Sequence, residues 1–178
     1  MRVIGGEFRS RRLKTLHGGA LRPTPDILRE ALFDVLQTRV EGCVFVDAYA
    51  GSGAVGIEAL SRGAARAIFL EKRRAAVRVI QENLSALGLD ARATVAAGKV
   101  STLLARFPGD IVFLDPPYPL EHEYPAALEI LGKGTQTLVL VQHDKRLKLK
   151  ESYGSIVKMR ILSHGDNAIT FYAPPSGP

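Results

Sequence analysis

Three acidic residues stand where short apolar runs stop. Asp47 follows Cys43-Val44-Phe45-Val46, Glu71 follows Ala67-Ile68-Phe69-Leu70, and Asp115 follows Asp110-Ile111-Val112-Phe113-Leu114. What comes after each acid points to its chemistry. Asp115 is followed by Pro116, Pro117 and Tyr118. Two prolines stiffen a turn and remove two backbone donors, so this loop offers a carboxylate, bare carbonyls and an aromatic ring. That set suits a flipped nucleic-acid base bearing an amino group. The amine donates to the Asp115 carboxylate and the Pro116 carbonyl, while Tyr118 stacks on the base. Such an amine is a poor nucleophile because its lone pair is delocalised into the ring. Two acceptors at its hydrogens draw the nitrogen toward tetrahedral geometry and free the lone pair.

Asp47 runs into Ala48-Tyr49-Ala50-Gly51-Ser52-Gly53-Ala54-Val55-Gly56, which contains the pattern G-x-G-x-x-G. Glycines at this spacing let a backbone approach a ligand closely and turn tightly into a helix. A dinucleotide and S-adenosylmethionine are the rival ligands. A carboxylate at Asp47 disfavours a pyrophosphate nearby and suits a ligand carrying an ammonium and a sulfonium, as S-adenosylmethionine does. Glu71 lies twenty positions after Gly51, where a carboxylate can accept hydrogen bonds from ribose hydroxyls. That contact serves either ligand. Tyr49, Ala50, Gly51 and Gly53 on the loop, with Lys72 beside Glu71, complete the expected cofactor pocket near these two acids.

These groups need a scaffold that brings strand ends together. The short apolar runs read as buried strands, and Thr94-Val95 and Thr137 to Val141 add two more. Helical spacing is expected from Thr24 to about Thr38, with Thr24 as N-cap and Pro25 first in the helix. Further helices are expected over Ala54 to Arg62, Arg73 to Leu87 and Glu121 to Leu131, with Gly63 and Gly88 as stops. Strands alternating with helices make an α/β fold with a mostly parallel, doubly wound sheet. In such sheets ligands bind beyond the carboxyl ends of the strands. Ile156 to Ile161 and Ala168 to Tyr172 have no helix between them and are expected to form an antiparallel hairpin on the sheet edge. Near the N-terminus, Arg2-Val3-Ile4 and Arg12-Leu13-Lys14 are expected to form a small hairpin.

The 178 residues are one domain's worth, divided into an N-terminal extension over 1–25 and a catalytic body over 26–178. The formal net charge is +6. Residues 1–29 hold seven basic and two acidic side chains, and residues 30–178 hold 17 and 16. The excess is therefore concentrated at the N-terminus, as in a phosphate-binding arm. Arg9, Arg11, Arg12, Lys14, Arg22, Thr24 and Arg29 are the expected RNA contacts. Cys43 is the lone cysteine and is read as a small core residue. His17, His122, His143 and His164 lack metal-ligand spacing, so no metal is expected. No apolar stretch is long enough to span a bilayer, and neither a signal peptide nor a membrane is expected. A cytoplasmic monomer is the expectation.

The Asp115-Pro116-Pro117-Tyr118 loop resembles the (D/N)PP(Y/F) motif of amino-group methyltransferases. Nearly the whole chain is similar to the bacterial 16S rRNA guanine-N2 methyltransferases of the guanine-966 type. The similarity is carried by Ile4-Gly5-Gly6, by Leu21-Arg22-Pro23-Thr24 with Arg29-Glu30-Ala31-Leu32-Phe33, and by Asp47 to Gly53. Glu58-Ala59-Leu60-Ser61-Arg62, Asn83 and the Asp-Pro-Pro-Tyr loop complete it. The resemblance implies a Rossmann-like methyltransferase fold using S-adenosylmethionine. It also implies 16S rRNA or the assembling small ribosomal subunit as partner, and an arm that grips RNA. Two positions depart from it. Such enzymes usually carry Asp or Asn after the third strand to hold the adenine amine, where this chain has Gly98 followed by Lys99. Adenine is then expected to meet backbone groups or apolar contacts there. After the fifth strand, where relatives tend to be acidic, this chain has Gln142. Three rival readings are N6-adenine methylation of DNA, a nucleotide-dependent oxidoreductase and a non-catalytic RNA-binding module. The first uses the same four-residue chemistry, and only the family-specific arm tells against it.

Overall fold

The structure is a computed structural model that describes residues 1–16, 25–117, 120–134 and 137–175. Eight strands form one sheet in the order β3-β2-β1-β4-β5-β8-β7-β6. The strands are β1 (Val44–Ala48), β2 (Arg66–Glu71), β3 (Ala93–Ala97), β4 (Ile111–Leu114), β5 (Leu138–Asp144), β6 (Ser152–Tyr153), β7 (Ile156–His164) and β8 (Asn167–Ala173). The first five run parallel. Antiparallel β8 pairs with β5, followed outward by β7 and β6. The expected hairpin is therefore present at the edge, with the short β6 beyond it. Order reverses between β1 and β4, so this is the crevice where such sheets bind ligands.

Alternation along the strands sorts side chains onto two faces, as a two-residue period requires. Val46, Ala48, Val112, Leu114, Val139 and Val141 face one layer, built on α4 (Val100–Leu103) and α5 (Glu123–Leu131). Phe45, Ile111, Phe113, Leu140, Ile169 and Phe171 face the other, under α1 (Asp26–Leu36). On that same side Ala67 and Phe69 of β2 meet α2 (Ala54–Ser61) and α3 (Arg74–Leu87). Cys43 is buried in the α1 layer, and burial pushes its thiol up to about 11, so it is a packing residue. No described helix is long and apolar enough to cross a membrane.

Several boundaries differ from the sequence pattern. Helix α1 starts at Asp26 with Pro25 as its N-cap and stops at Leu36, where a 3₁₀ turn over Gln37–Val40 takes over. The expected Thr24 cap lies outside the described residues. Helix α5 begins two residues later than expected. The weak Thr94-Val95 signal belongs to a full strand of alanines and β-branched residues at the half-exposed sheet edge, where no strong apolar run is needed. The expected N-terminal hairpin is present as one antiparallel bridge, Arg2 with Arg12, closed by Val3 N–H donating to the Arg11 carbonyl and Leu13 N–H to the Met1 carbonyl, each at 3.0 Å. Between its arms, Ile4 and Gly5 donate to Glu58, and Phe8 donates to Ser61 Oγ.

Candidate active site

Asp47 is the last residue but one of β1, against the first turns of α2. It is 3% exposed, and its Oδ2 accepts the Gly56 N–H at 2.8 Å. Gly56 makes that bond possible, because a Cβ there would collide with the Phe69 ring and crowd Asp47. Helix and strand can therefore approach closely only with glycine at this position. Burial pushes the Asp47 carboxyl up to about 8, only partly opposed by the Gly56 hydrogen bond. The nearby Asp115 and Glu71 push the same way. A buried acid held neutral by its surroundings becomes an anion once a cation arrives.

The loop from Tyr49 to Gly53 follows β1 and leads into α2. Tyr49 sits in the left-handed region at φ 63°, rare for a bulky residue. Its hydroxyl donates to Glu123 Oε2 at 2.7 Å, which ties the loop to the first turn of α5. Gly53 N–H donates to Ala50 C=O, closing the turn. Glu71 ends β2 and is buried. Its Oε2 accepts the Gly51 N–H at 3.0 Å, and its Oε1 accepts the Arg73 N–H and Nε. Glu71 thus shapes the glycine loop. Lys72 and Lys99 are exposed, and Gly98 is half-buried with its N–H donating to the Glu71 carbonyl at 3.0 Å. A Cβ at Gly98 would press on Leu103 Cδ1 at 3.3 Å.

Asp115 leaves β4 beside β1: its N–H donates to the Ala48 carbonyl at 3.4 Å. The switch in strand order thereby brings Asp115 next to Asp47. Asp115 is half-buried and Pro116 buried. Burial pushes the Asp115 carboxyl up to about 7. Its Oδ2 accepts a hydrogen bond from Gln142 Nε2 at 3.3 Å, and its Oδ1 has no hydrogen-bond partner among the described residues. Tyr118 lies outside the described residues.

The arm is docked on α2 and α3 by residues that the sequence reading singled out without a role. Glu58 Oε2 accepts the Ile4 N–H and Oε1 accepts the Gly5 N–H, each at 2.8 Å. Ser61 Oγ accepts from Phe8 and donates to the Gly5 carbonyl. A Cβ at Gly6 would collide with the Ser61 carbonyl. Asn83 accepts the Lys14 N–H at 2.8 Å and donates to the carbonyls of Lys14 and Ser52, each at 3.0 Å. It therefore joins the arm to the glycine loop. Val3 and Leu13 bury their side chains in the layer beneath α2 and α3.

The expected RNA contacts divide. Arg9, Arg11 and Arg12 are exposed. Lys14 is exposed but pairs with Glu82 at 2.8 Å. Arg22 and Thr24 lie outside the described residues. Arg29 is not an RNA contact. Its side chain is fully buried, its Nη2 donates to the Arg2 carbonyl and Asp26, and it lies 3.9 Å from Glu58. A local basic sequence gave no sign that the side chain turns inward, because helical phase alone does not say how far a neighbouring helix covers it.

The family described as conserved hypothetical protein 95 matches residues 1–173. YlbH of Bacillus subtilis (strain 168) is 33% identical, over 97% of this chain and 98% of that protein. The ribosomal RNA small subunit methyltransferase D of Escherichia coli (strain K12) is 40% identical over 119 residues, 66% of this chain and 60% of that one. The solved structure of yhhF from Escherichia coli superposes with a TM-score of 0.86 at 29% identity, covering 99% of each chain. The chain belongs to this family and has the Rossmann-like α/β fold of S-adenosylmethionine-dependent methyltransferases.

Proposed function

We propose that this protein methylates the exocyclic N2 of a guanine of the 966 type in 16S ribosomal RNA. The observation that carries the reading is the Asp115 carboxylate. It lies at the switch between β1 and β4, one oxygen held by Gln142 and the other without a partner among the described residues. Ribosomal RNA as substrate is supported by the name of the Escherichia coli relative, and the guanine-N2 position by the resemblance of the Arg22-Pro23-Thr24 and Glu58-Ala59-Leu60-Ser61-Arg62 segments to the guanine-N2 family. Incubating the protein with labelled S-adenosylmethionine and small subunits from a strain lacking its counterpart, then mapping the modified base, tests it. Label on an adenine, or on DNA alone, would overturn it.

The pocket fits the cofactor on its own chemistry. Asp47 is a buried acid with no cationic partner among the described residues, which suits an ammonium and would repel a pyrophosphate. S-adenosylmethionine, when bound, supplies an electrophilic methyl group on a sulfonium. Asp47 and the glycine loop bind and orient, and Glu71 is placed for ribose hydroxyls. Asp115 and the Pro116 carbonyl accept the two amine hydrogens of the base and make its lone pair available. The proton leaves nitrogen after the methyl arrives, when that nitrogen is strongly acidic, so no strong base is required. Exposed Arg9, Arg11 and Arg12 face phosphates.

Three results are expected from this assignment. Glu71→Ala should weaken S-adenosylmethionine binding by about 1.5–3 kcal/mol, the scale for hydrogen bonds to a charged group. Equal affinities by calorimetry would remove Glu71 from the pocket. Cofactor affinity should also depend on pH. The Asp47 carboxyl titrates near 8 when the pocket is empty, and a cation lowers that value on binding. Binding at neutral pH therefore releases a proton, and affinity rises with pH toward about 8, above which loss of the ligand's own α-ammonium proton opposes binding. Calorimetry in buffers of different ionisation enthalpy reads the proton directly, and Asp47→Asn should flatten the dependence. A pH-independent wild type would disprove the linkage. Finally, replacing Arg9, Arg11 and Arg12 together should lower the slope of log K against log salt for RNA binding by roughly 2–3, at about 0.7–0.9 per phosphate contact. Cofactor affinity should not change. Lys14→Ala should matter less, because its ammonium already pairs with Glu82. An unaltered slope in the triple variant would show that the arm does not meet phosphates.

A further inference from the structure

Gln142 follows Val141 on β5, across the β4 edge from β1. The side chain is buried, at 5% exposure. Its Nε2 donates to Asp115 Oδ2 at 3.3 Å, and its Oε1 is buried with no hydrogen-bond partner among the described residues. The amide is thus held from one side only, by the carboxylate assigned above to the substrate amine. It is also the sole side-chain donor that Asp115 has among the described residues.

The groups around Asp115 make that single donor consequential. Asp47 on β1 is a neighbouring acid, and the Asp115 charge disfavours its ionisation. Tyr124 on α5 senses the Asp115 charge as well, and its phenol is pushed upward, mainly by burial. His143, next to Gln142, bonds Thr170 Oγ1 and the Asp144 carbonyl, and burial pushes its imidazole down toward the neutral form. No lysine or arginine pairs with Asp115 among the described residues.

We infer that Gln142 is the positioning residue of the reaction: its amide N–H fixes Oδ2 and favours the anionic form of Asp115, leaving Oδ1 to accept the substrate amine. This rests on the reading of Asp115 given under the proposed function. A hydrogen bond donated to a carboxylate favours its ionised form. Burial already pushes Asp115 up to about 7, so losing the donor shifts the balance toward the acid at neutral pH. A protonated Asp115 has one oxygen acting as donor and a weaker acceptor in the other.

The test is Gln142→Met, which keeps the length of the side chain and removes the N–H. Single-turnover methyl transfer is followed from pH 5.5 to 9 with saturating S-adenosylmethionine and rRNA substrate. The acid limb of the rate should move to higher pH, with the loss of rate confined to the acid side of the limb. The rate should recover at high pH, with the affinities for RNA and cofactor unchanged. Carbon-13 NMR titration of labelled aspartate in the ligand-free protein should show the same upward shift at Asp115, and it needs no activity. A superimposable pH profile, or a loss equal at every pH, would overturn the assignment. Asp115→Ala is run alongside. If that variant is dead and Gln142→Met is silent, only the role of Gln142 falls. If Asp115→Ala turns over normally, the reading of the site falls with it.

Discussion

Asp115→Ala should abolish methyl transfer while the fold and most of the cofactor affinity survive. The side chain is half-buried and makes one side-chain hydrogen bond among the described residues, so its removal leaves no large cavity. Its loss also relieves the charge that disfavours ionised Asp47, which should not weaken a cationic ligand. The chemistry has no such tolerance. Positive charge builds on the base nitrogen during attack, and a preorganised acceptor aimed at it contributes on the order of 10²–10³ in rate. Asp115→Asn should be impaired less, because an amide oxygen still accepts one hydrogen bond but lacks the charge. Tyr118→Phe should be nearly harmless, since stacking needs the ring. Tyr118→Ala should lose the ~1–3 kcal/mol typical of base stacking. The expected order of single-turnover rates is wild type with Tyr118→Phe, then Tyr118→Ala and Asp115→Asn, then Asp115→Ala. Normal turnover in Asp115→Ala would remove the case for amino-group methylation.

Glu58→Ala should be the most destabilising change outside the site. Glu58 and Arg29 are both fully buried, 3.9 Å apart. The Glu58 carboxylate also accepts from Ile4, Gly5 and the Arg62 Nε. Burial disfavours the charged Arg29, whose pKa is lowered, and Glu58 and Asp26 oppose that effect. Removing one partner of a buried ion pair costs up to about 3–5 kcal/mol; here Arg29 keeps Asp26 at 3.0 Å, and the loss also includes the Ile4 and Gly5 N–H groups that Glu58 would leave unpaired. Urea denaturation should show that loss, together with release of the arm from α2. Arg29→Met in the Glu58→Ala background should recover part of it by removing a buried cation that has lost one of its two acidic partners. If Glu58→Ala unfolds at the wild-type urea midpoint with an unchanged m-value, the pair is not holding the arm to the body. Because Arg29 works inward, an Arg29 substitution should lower stability, and its effect on RNA binding should follow the position of the arm.

The local pattern of the chain was enough to place the chemistry at strand ends. An apolar run that stops at an acid, and then either glycines or two prolines, is a signal contained in a handful of neighbouring residues. Backbone sterics and burial act at that range. The alternation of strands and helices likewise announced a parallel sheet with an antiparallel edge, and the charge count located the arm. Tertiary structure decided what depends on residues far apart in sequence. Asp47 and Asp115 meet because β4 lies against β1, and the sequence pattern does not state that adjacency. Asn83 reaches across 69 positions to Lys14, and Gln142 across 27 to Asp115. Arg29 belongs by composition to the basic arm and by packing to the interior, since its neighbours Glu58 and the Arg2 carbonyl come from elsewhere in the chain. Local sequence fixes a residue's chemistry and the face it occupies. Only the packing of one element on another determines which partner it meets and whether water reaches it, because burial and hydrogen bonding at these sites are properties of contacts between distant segments.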